Sequence, residues 1–159
     1  MHGGTMTVTG FWHGGITVAD TERSQAFYVG LLGLRVFADR MVDDPALLRV
    51  VGTDAVALRV SMLEIPGADC YVELVEYVGV DADLAPAAPE VAGVGHLCFY
   101  VDDLRGLWER LEAACVPSVS GGAVDCSSRI PDTWCTYVRD PDGHLVELFE
   151  GPRYPLGRR

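Results

Sequence analysis

Apolar and polar positions follow the same order twice along the chain. Each copy opens on a strand-like stretch, at about residues 11–18 and 93–101, and continues into a segment whose apolar residues recur at helical spacing. These residues are Phe27, Leu31 and Leu34 in the first copy and Leu104, Leu107, Trp108, Leu111 and Cys115 in the second. Strand-like stretches separated by turn residues follow each helix. The shared order β-α-β-β-β predicts an α+β fold of two paired modules.

Short polar side chains stand where the two predicted helices begin. Asp20 or Thr21 is placed to cap the first helix, and Asp102 or Asp103 the second, because their oxygens accept bonds from the free N–H groups of a first turn. Gly33 is placed to end the first helix.

Loss of periodicity divides the chain into five segments. We predict an N-terminal tail over residues 1–10, a first module over 11–78, a linker over 79–92, a second module over 93–150 and a C-terminal tail over 151–159. The linker is rich in Ala, Pro and Asp. The first module carries an extra segment at 42–54, where a short helix and a lip over a pocket are both open interpretations.

Composition and charge restrict the class of partner. A hydrophobic share of 49% over 159 residues is enough for a packed core. No apolar run reaches the roughly 18 residues of a membrane span, and no basic stretch precedes an apolar one near the start, so we expect a cytoplasmic protein without a membrane partner. A net charge of −11 argues against nucleic acid as a partner. The five cysteines form no CxxC pair and are interpreted as reduced structural thiols.

Each copy places a histidine at the start of its first strand and a glutamate in its last. These residues are His13 with Glu73 and His96 with Glu147. Strand alternation puts both glutamates among apolar or aromatic neighbours, where an unpartnered carboxylate costs several kcal/mol. A lone histidine in an apolar strand is usually structural, but the repetition favours a divalent metal held by two nitrogens and two oxygens. Two further glutamates fall on the opposite strand faces and are poorer candidates: Glu76 and Glu150.

Several stretches resemble the vicinal oxygen chelate superfamily, which includes glyoxalase I, methylmalonyl-CoA epimerase, extradiol dioxygenases and the bleomycin resistance proteins. The matching stretches are 13–20, 24–28, 32–34, 71–74, 95–103 and 139–148, and the resemblance covers about residues 11–150. It implies paired βαβββ modules that form a curved, cleft-shaped mixed sheet with the helices outside. It also implies one divalent metal ion (Zn, Ni, Co, Mn or Fe) held by His13, Glu73, His96 and Glu147.

The ligand set at these positions is most similar to that of bacterial glyoxalase I. Methylmalonyl-CoA epimerases usually carry Gln at the place of Glu73, extradiol dioxygenases carry His there, and bleomycin-binding relatives lack the metal ligands. The resemblance therefore implies a lyase or isomerase that moves a proton next to a carbonyl through a metal-bound enolate or enediolate. Two alternatives stay open, namely a resistance protein that binds or modifies an antibiotic and a non-haem iron dioxygenase of extradiol type.

The same resemblance gives expected roles to further residues. Glu147 is expected to act as ligand and base, with Glu73 as the second possible base on the opposite face of a small-molecule substrate. Independently of the resemblance, residue type and position in the strands give four candidates for substrate contact, which are Arg59, Trp134, Tyr137 and Arg139. A homodimer is expected, and the site lies either within one chain or across the dimer.

Overall fold

The computed structural model describes residues 7–81 and 88–153. The first module contains β1 (His13–Thr17), α1 (Thr21–Gln25) continued by a π-helical segment (Ala26–Leu31), β2 (Arg35–Val42), α2 (Pro45–Val51), β3 (Ala57–Glu64) and β4 (Tyr71–Val78). The second contains β5 (His96–Tyr100), α3 (Leu104–Ala113), β6 (Val124–Asp125), β7 (Trp134–Arg139) and β8 (Leu145–Glu150). The predicted βαβββ order is confirmed, and α2 forms in the extra segment at 42–54. Residues 1–6, 82–87 and 154–159, which belong to the predicted tails and linker, lie outside the described residues.

The strands form two separate four-stranded sheets. Their orders are β1-β4-β3-β2 and β5-β8-β7-β6, with the first and last strands of each module parallel and the other pairs antiparallel. β1 and β5 are both edge strands, and across the described residues no strand of one sheet pairs with a strand of the other. The α+β modules are as predicted, but the single curved sheet of the sequence analysis is instead two open sheets.

Aspartates begin α1, α2 and α3, and Asp44 caps α2 by accepting from the backbone N–H groups of Ala46 and Leu47. Asp20 accepts from the backbone N–H of Arg23, and Asp103 accepts from that of Gly106, so the caps are Asp20 and Asp103 rather than the alternatives beside them. Gly33 lies just after the π-helical segment with φ +82°, a conformation that favours glycine. Among residues 7–81 and 88–153, no helix combines the length and apolar character needed to cross a membrane.

One hydrophobic core extends through both modules on the helix side of the sheets. Phe27 and Tyr28 from the first helix belong to the same buried cluster as Leu104, Leu111 and other residues of the second module. At the junction of the two edge strands, a Cβ added at Gly14 would lie 3.1 Å from a Leu97 side-chain carbon. The β1 backbone at Gly14 and the Leu97 side chain of β5 are therefore in close contact, and a larger residue at position 14 would require Leu97 to shift.

Two buried aspartates of the β7–β8 turn bind the first module to the second. Asp140 and Asp142 are 3% and 8% exposed. Asp140 accepts a bond of 2.9 Å from the hydroxyl of Tyr28. Asp142 accepts from the guanidinium of Arg23 and, at 3.1 Å, from the hydroxyl of Ser24. We call this group the aspartate clasp (Arg23, Ser24, Tyr28, Asp140 and Asp142), and it satisfies polar groups that burial would otherwise penalise.

Because the Tyr28 phenol is buried in the aspartate clasp, we expect the folded protein to lose stability at alkaline pH. Burial, followed by the charge of Asp140, raises the pKa of Tyr28 well above its usual 10.0. Below about pH 10 both the folded and the unfolded chain keep the phenol proton; above it the unfolded chain releases the proton and the folded chain does not. The free energy of unfolding is therefore expected to fall by about 1.4 kcal/mol per pH unit above pH 10 from this group. Urea unfolding at pH 8.5 and 11 measures it, and Tyr28→Phe should show a shallower decline.

Candidate functional site

Each module holds one histidine and one glutamate side by side on parallel strands. β1 begins at His13 and pairs with β4, which carries Glu73. β5 begins at His96 and pairs with β8, which carries Glu147. Nε2 of His13 lies 3.3 Å from Oε2 of Glu73, and Nε2 of His96 lies 3.1 Å from Oε2 of Glu147. We call these pairs half-site 1 (His13 and Glu73) and half-site 2 (His96 and Glu147).

Both half-sites lie on the open faces of the sheets. The neighbours of Glu73 in β4, Val72 and Leu74, are buried against the first helix, whereas the Glu73 side chain is 24% exposed. The Glu147 side chain is 19% exposed between two buried neighbours in the same way. Each glutamate thus shares its strand face with the apolar or aromatic neighbours predicted from alternation, but the carboxylates are partly exposed and not fully buried. Both faces of each strand carry apolar residues, so alternation alone does not show which face the helix covers.

The spacing within each half-site suits a shared metal ion. Two ligand atoms that bind one divalent ion at about 2.1 Å each, roughly at a right angle, are about 3 Å apart. The observed separations of 3.3 and 3.1 Å are close to this value. Gly15 lies opposite Glu73 in the strand register, and a Cβ there would come within 3.2 Å of Glu73 Oε2. Glycine therefore leaves room beside the carboxylate, and the residues present fit a divalent ion.

One chain does not gather the four proposed ligands into one group. Where the structure describes the chain, no three or more His, Cys, Asp and Glu side chains are arranged to hold a metal ion. Each module thus brings together one proposed histidine ligand and one proposed glutamate ligand. A centre with all four ligands requires half-site 1 and half-site 2 to come together. The assignment of His13, Glu73, His96 and Glu147 to one metal therefore stays a proposal.

Tyr137 belongs to half-site 2. Its hydroxyl donates to Oε2 of Glu147 at 2.9 Å and lies 3.1 Å from Nε2 of His96. Burial, followed by the hydrogen bond with Glu147, raises the pKa of Tyr137, so the phenol stays protonated at neutral pH and acts as a donor. The sequence analysis proposed this tyrosine for substrate contact, and the structure places it against both proposed ligands.

Two thiols also approach the Glu147 carboxylate. The thiol of Cys135 donates to Oε1 at 3.3 Å, and Cys98 lies opposite Glu147 in the β5–β8 register. Burial first and the carboxylate next raise the pKa of both Cys98 and Cys135 to about 12. Because of these raised pKa values, both groups are neutral thiols at physiological pH. Neither is therefore in the thiolate form that acts as a nucleophile.

Two of the other substrate candidates do not lie at a half-site. Arg59 pairs with Asp39 and Glu22 on the helix side of β3, and its guanidinium holds the pKa of Asp39 below the usual range. Trp134 packs against the core, with the guanidinium of Arg105 5.3 Å from its ring centroid. Both were chosen for residue type, and the period of their strands turns them towards the helices. We no longer propose either for substrate contact.

Arg139 is on the same strand face as Tyr137. One of its guanidinium nitrogens donates to the carbonyl of Gly143 at 2.7 Å, so part of this side chain supports the β7–β8 turn. Its proposed contact with substrate stays a prediction.

Glu76 and Glu150 have a structural role that sequence reasoning missed. Oε2 of Glu76 accepts from the backbone N–H and the hydroxyl of Thr21 at the start of the first helix. Oε2 of Glu150 accepts from the backbone N–H of Leu104 at the start of α3. Each glutamate stands three residues after a proposed ligand, and this repeated spacing was the available signal. In each module, one glutamate faces outward at a half-site and the next caps a helix.

The sequence and the fold of the chain both resemble those of known proteins. The family model of the glyoxalase/bleomycin resistance protein/dioxygenase superfamily matches residues 10–148. No curated protein gives a significant match. A glyoxalase family protein from Bacillus cereus is 21% identical with a TM-score of 0.80, over 92% of this chain and 96% of that chain.

Two glyoxalase I structures are also similar. The trypanothione-dependent enzyme of Leishmania major is 25% identical with a TM-score of 0.61, over 90% of this chain and 87% of that chain. A mutant glyoxalase I of Zea mays is 22% identical with a TM-score of 0.63, over 87% of this chain and 44% of that longer chain. The family match extends over most of the chain, and the paired modules have the same fold as these structures. The chain belongs to the glyoxalase/bleomycin resistance protein/dioxygenase superfamily.

Proposed function

We propose that this chain is a divalent-metal-dependent lyase or isomerase of glyoxalase type, which moves a proton at a carbon next to a carbonyl group of a small molecule. The superfamily includes metal-dependent enzymes such as glyoxalase I. The observation that carries the proposal is the repeated half-site, a histidine nitrogen within 3.3 Å of a glutamate oxygen on the open face of each module. A purely structural ion pair has no need to recur at equivalent places.

The proposed roles follow from the chemistry of the four side chains. His13 and His96 would hold the ion through Nε2, and Glu73 and Glu147 would complete the donor set. A bound divalent ion supplies Lewis-acid stabilisation of negative charge on a substrate oxygen. A carboxylate of the set would remove the proton from the carbon beside the carbonyl, exchange it with solvent and give a proton back to the product, so no other reactant is consumed.

A second copy of the chain is the proposed source of the missing half-site. Half-site 1 of one copy would meet half-site 2 of its partner, which gives two equivalent centres in a symmetric homodimer. The separation of the half-sites in the described part of a single chain supports this arrangement over a site within one chain.

Deuterium exchange tests the proposed function. Protein loaded with Zn²⁺, Ni²⁺, Co²⁺ or Mn²⁺ is incubated in D₂O without oxygen with hemithioacetals, 2-oxo acids and acyl-CoA thioesters. We expect NMR to show deuterium entering the carbon next to the carbonyl of one class, with the exchange lost on chelation and restored by metal. In a parallel incubation with Fe²⁺ in air, turnover that requires iron and consumes oxygen would replace the proposal with a dioxygenase. Saturable antibiotic binding without any exchange would replace it with a resistance protein.

A further inference from the structure

The two half-sites differ in what surrounds their glutamates. Around Glu147, the Tyr137 hydroxyl binds one carboxylate oxygen at 2.9 Å and the Cys135 thiol binds the other at 3.3 Å. Across residues 7–81 and 88–153, His13 is the one polar side chain recorded in contact with Glu73. One carboxylate is therefore held at both oxygens, and the other is held at one.

The strand register shows that this difference is systematic. Tyr137 lies opposite Glu147 in the second module, and Met62 lies opposite Glu73 in the first. The same comparison extends to two more positions, Cys98 with Gly15 and Cys135 with Val60. Apart from the histidine that both half-sites contain, each polar neighbour of Glu147 is thus replaced at half-site 1 by a residue with no hydrogen-bond donor in its side chain.

Half-site 1 also has free space and fewer restraints. Gly15 leaves open the volume beside Glu73 Oε2 that a Cβ would restrict. Nδ1 of His13 is buried without a hydrogen-bond partner among the described residues. Metal-binding histidines and carboxylates usually have such outer partners, which fix their orientation. The Glu73 carboxylate can therefore rotate about its side-chain torsions at a lower energetic cost than Glu147.

We infer that Tyr137 is a positioning residue that fixes Glu147 as a static ligand through its hydrogen bond to the carboxylate, which leaves Glu73 as the carboxylate that carries the proton. This inference rests on the proposed function and reverses the order of the two bases expected from the sequence. The substrate C–H bond breaks as an O–H bond forms on Glu73, and the electron pair moves to the carbonyl oxygen. The proton on Glu73 exchanges with solvent, and Glu73 then gives a proton back to carbon in the product, so that in D₂O the carbon acquires deuterium.

The positioning role is tested by metal affinity without any substrate. Tyr137→Phe removes one hydroxyl and is expected to weaken Co²⁺ binding by about 10- to 100-fold, with a changed visible spectrum of the bound Co²⁺. Tyr77→Phe is the matched control on the open face of the first sheet and should bind Co²⁺ as the unmodified chain does. Equal affinity and spectra for the unmodified chain and Tyr137→Phe would overturn the positioning role.

The choice of base is tested by exchange at saturating metal. We expect Glu73→Gln to lower deuterium exchange by at least about 100-fold and Glu147→Gln to lower it by less than about 10-fold while weakening metal binding. The opposite ranking would overturn the assignment to Glu73. If the unmodified chain exchanges no proton with any substrate class, the proposed function and the base assignment fail together, whereas the Co²⁺ measurement still decides the role of Tyr137.

Discussion

Asp140→Ala is expected to lower the free energy of unfolding by about 3–4 kcal/mol. The Asp140 carboxylate accepts three hydrogen bonds, from the Tyr28 hydroxyl at 2.9 Å and from the backbone N–H groups of Asp142 and His144 at 3.0 and 2.8 Å. Alanine leaves the Tyr28 hydroxyl buried without a partner, and such a group costs about 1–3 kcal/mol. Since a domain is stable by about 5–15 kcal/mol, this is a large fraction of the total. Urea unfolding at pH 7 measures the change.

Two control variants separate the clasp from a general effect of losing an aspartate. Asp140→Asn keeps an oxygen for the backbone N–H groups and an amide that can donate to Tyr28, so we expect a smaller loss of about 1 kcal/mol. Asp54 is exposed, and Asp54→Ala should change stability by less than about 0.5 kcal/mol. A loss below 1 kcal/mol for Asp140→Ala would show that the clasp contributes little to joining the modules.

Local patterns predict the elements of this fold because each element has a local cause. The apolar period of α3 places Leu104 and Leu111 in the core, and both are fully buried. The clasp has no such signal, since Tyr28 and Asp140 are 112 residues apart. The sequence around Asp140 indicates only a turn. Its contact with the first helix depends on how the modules pack, which no local pattern contains.

The candidate site was predictable in its residue types but not in its surroundings. Repetition singled out the two His–Glu pairs, and parallel pairing of the first and last strands brings each pair together. Alternation did not identify the buried face, because a helix rather than strand composition decides it. For the same reason Arg59 and Trp134 were expected at the cleft, although both face the helices. The contacts of Tyr137 with two ligands require the strand register, which the sequence alone does not give.

Mixing two variants that have each lost metal binding is expected to restore part of that binding. His13→Ala damages half-site 1 and His96→Ala damages half-site 2. Each change removes a proposed ligand and should cost more affinity than the roughly 10- to 100-fold typical of an outer partner. If each centre joins half-site 1 of one chain to half-site 2 of the other, a mixed dimer contains one centre with both half-sites intact. Random assembly makes about half of the dimers mixed, so metal content should return to about a quarter of the unmodified value.

A second mixture of variants, both damaged in the same half-site, is the control for this experiment. Both chains are unfolded together in urea, refolded with Zn²⁺ and dialysed, and bound metal is measured by mass spectrometry. A mixture of His13→Ala with Glu73→Ala has half-site 1 damaged in every chain, so no arrangement restores a centre and the metal content should stay at the background of the separate variants. Recovery in the first mixture and none in the second requires a site across two chains. If the first mixture also stays at background while the unmodified chain binds metal, each centre lies within one chain, and the two half-sites then have to close on each other from the open arrangement of the two sheets.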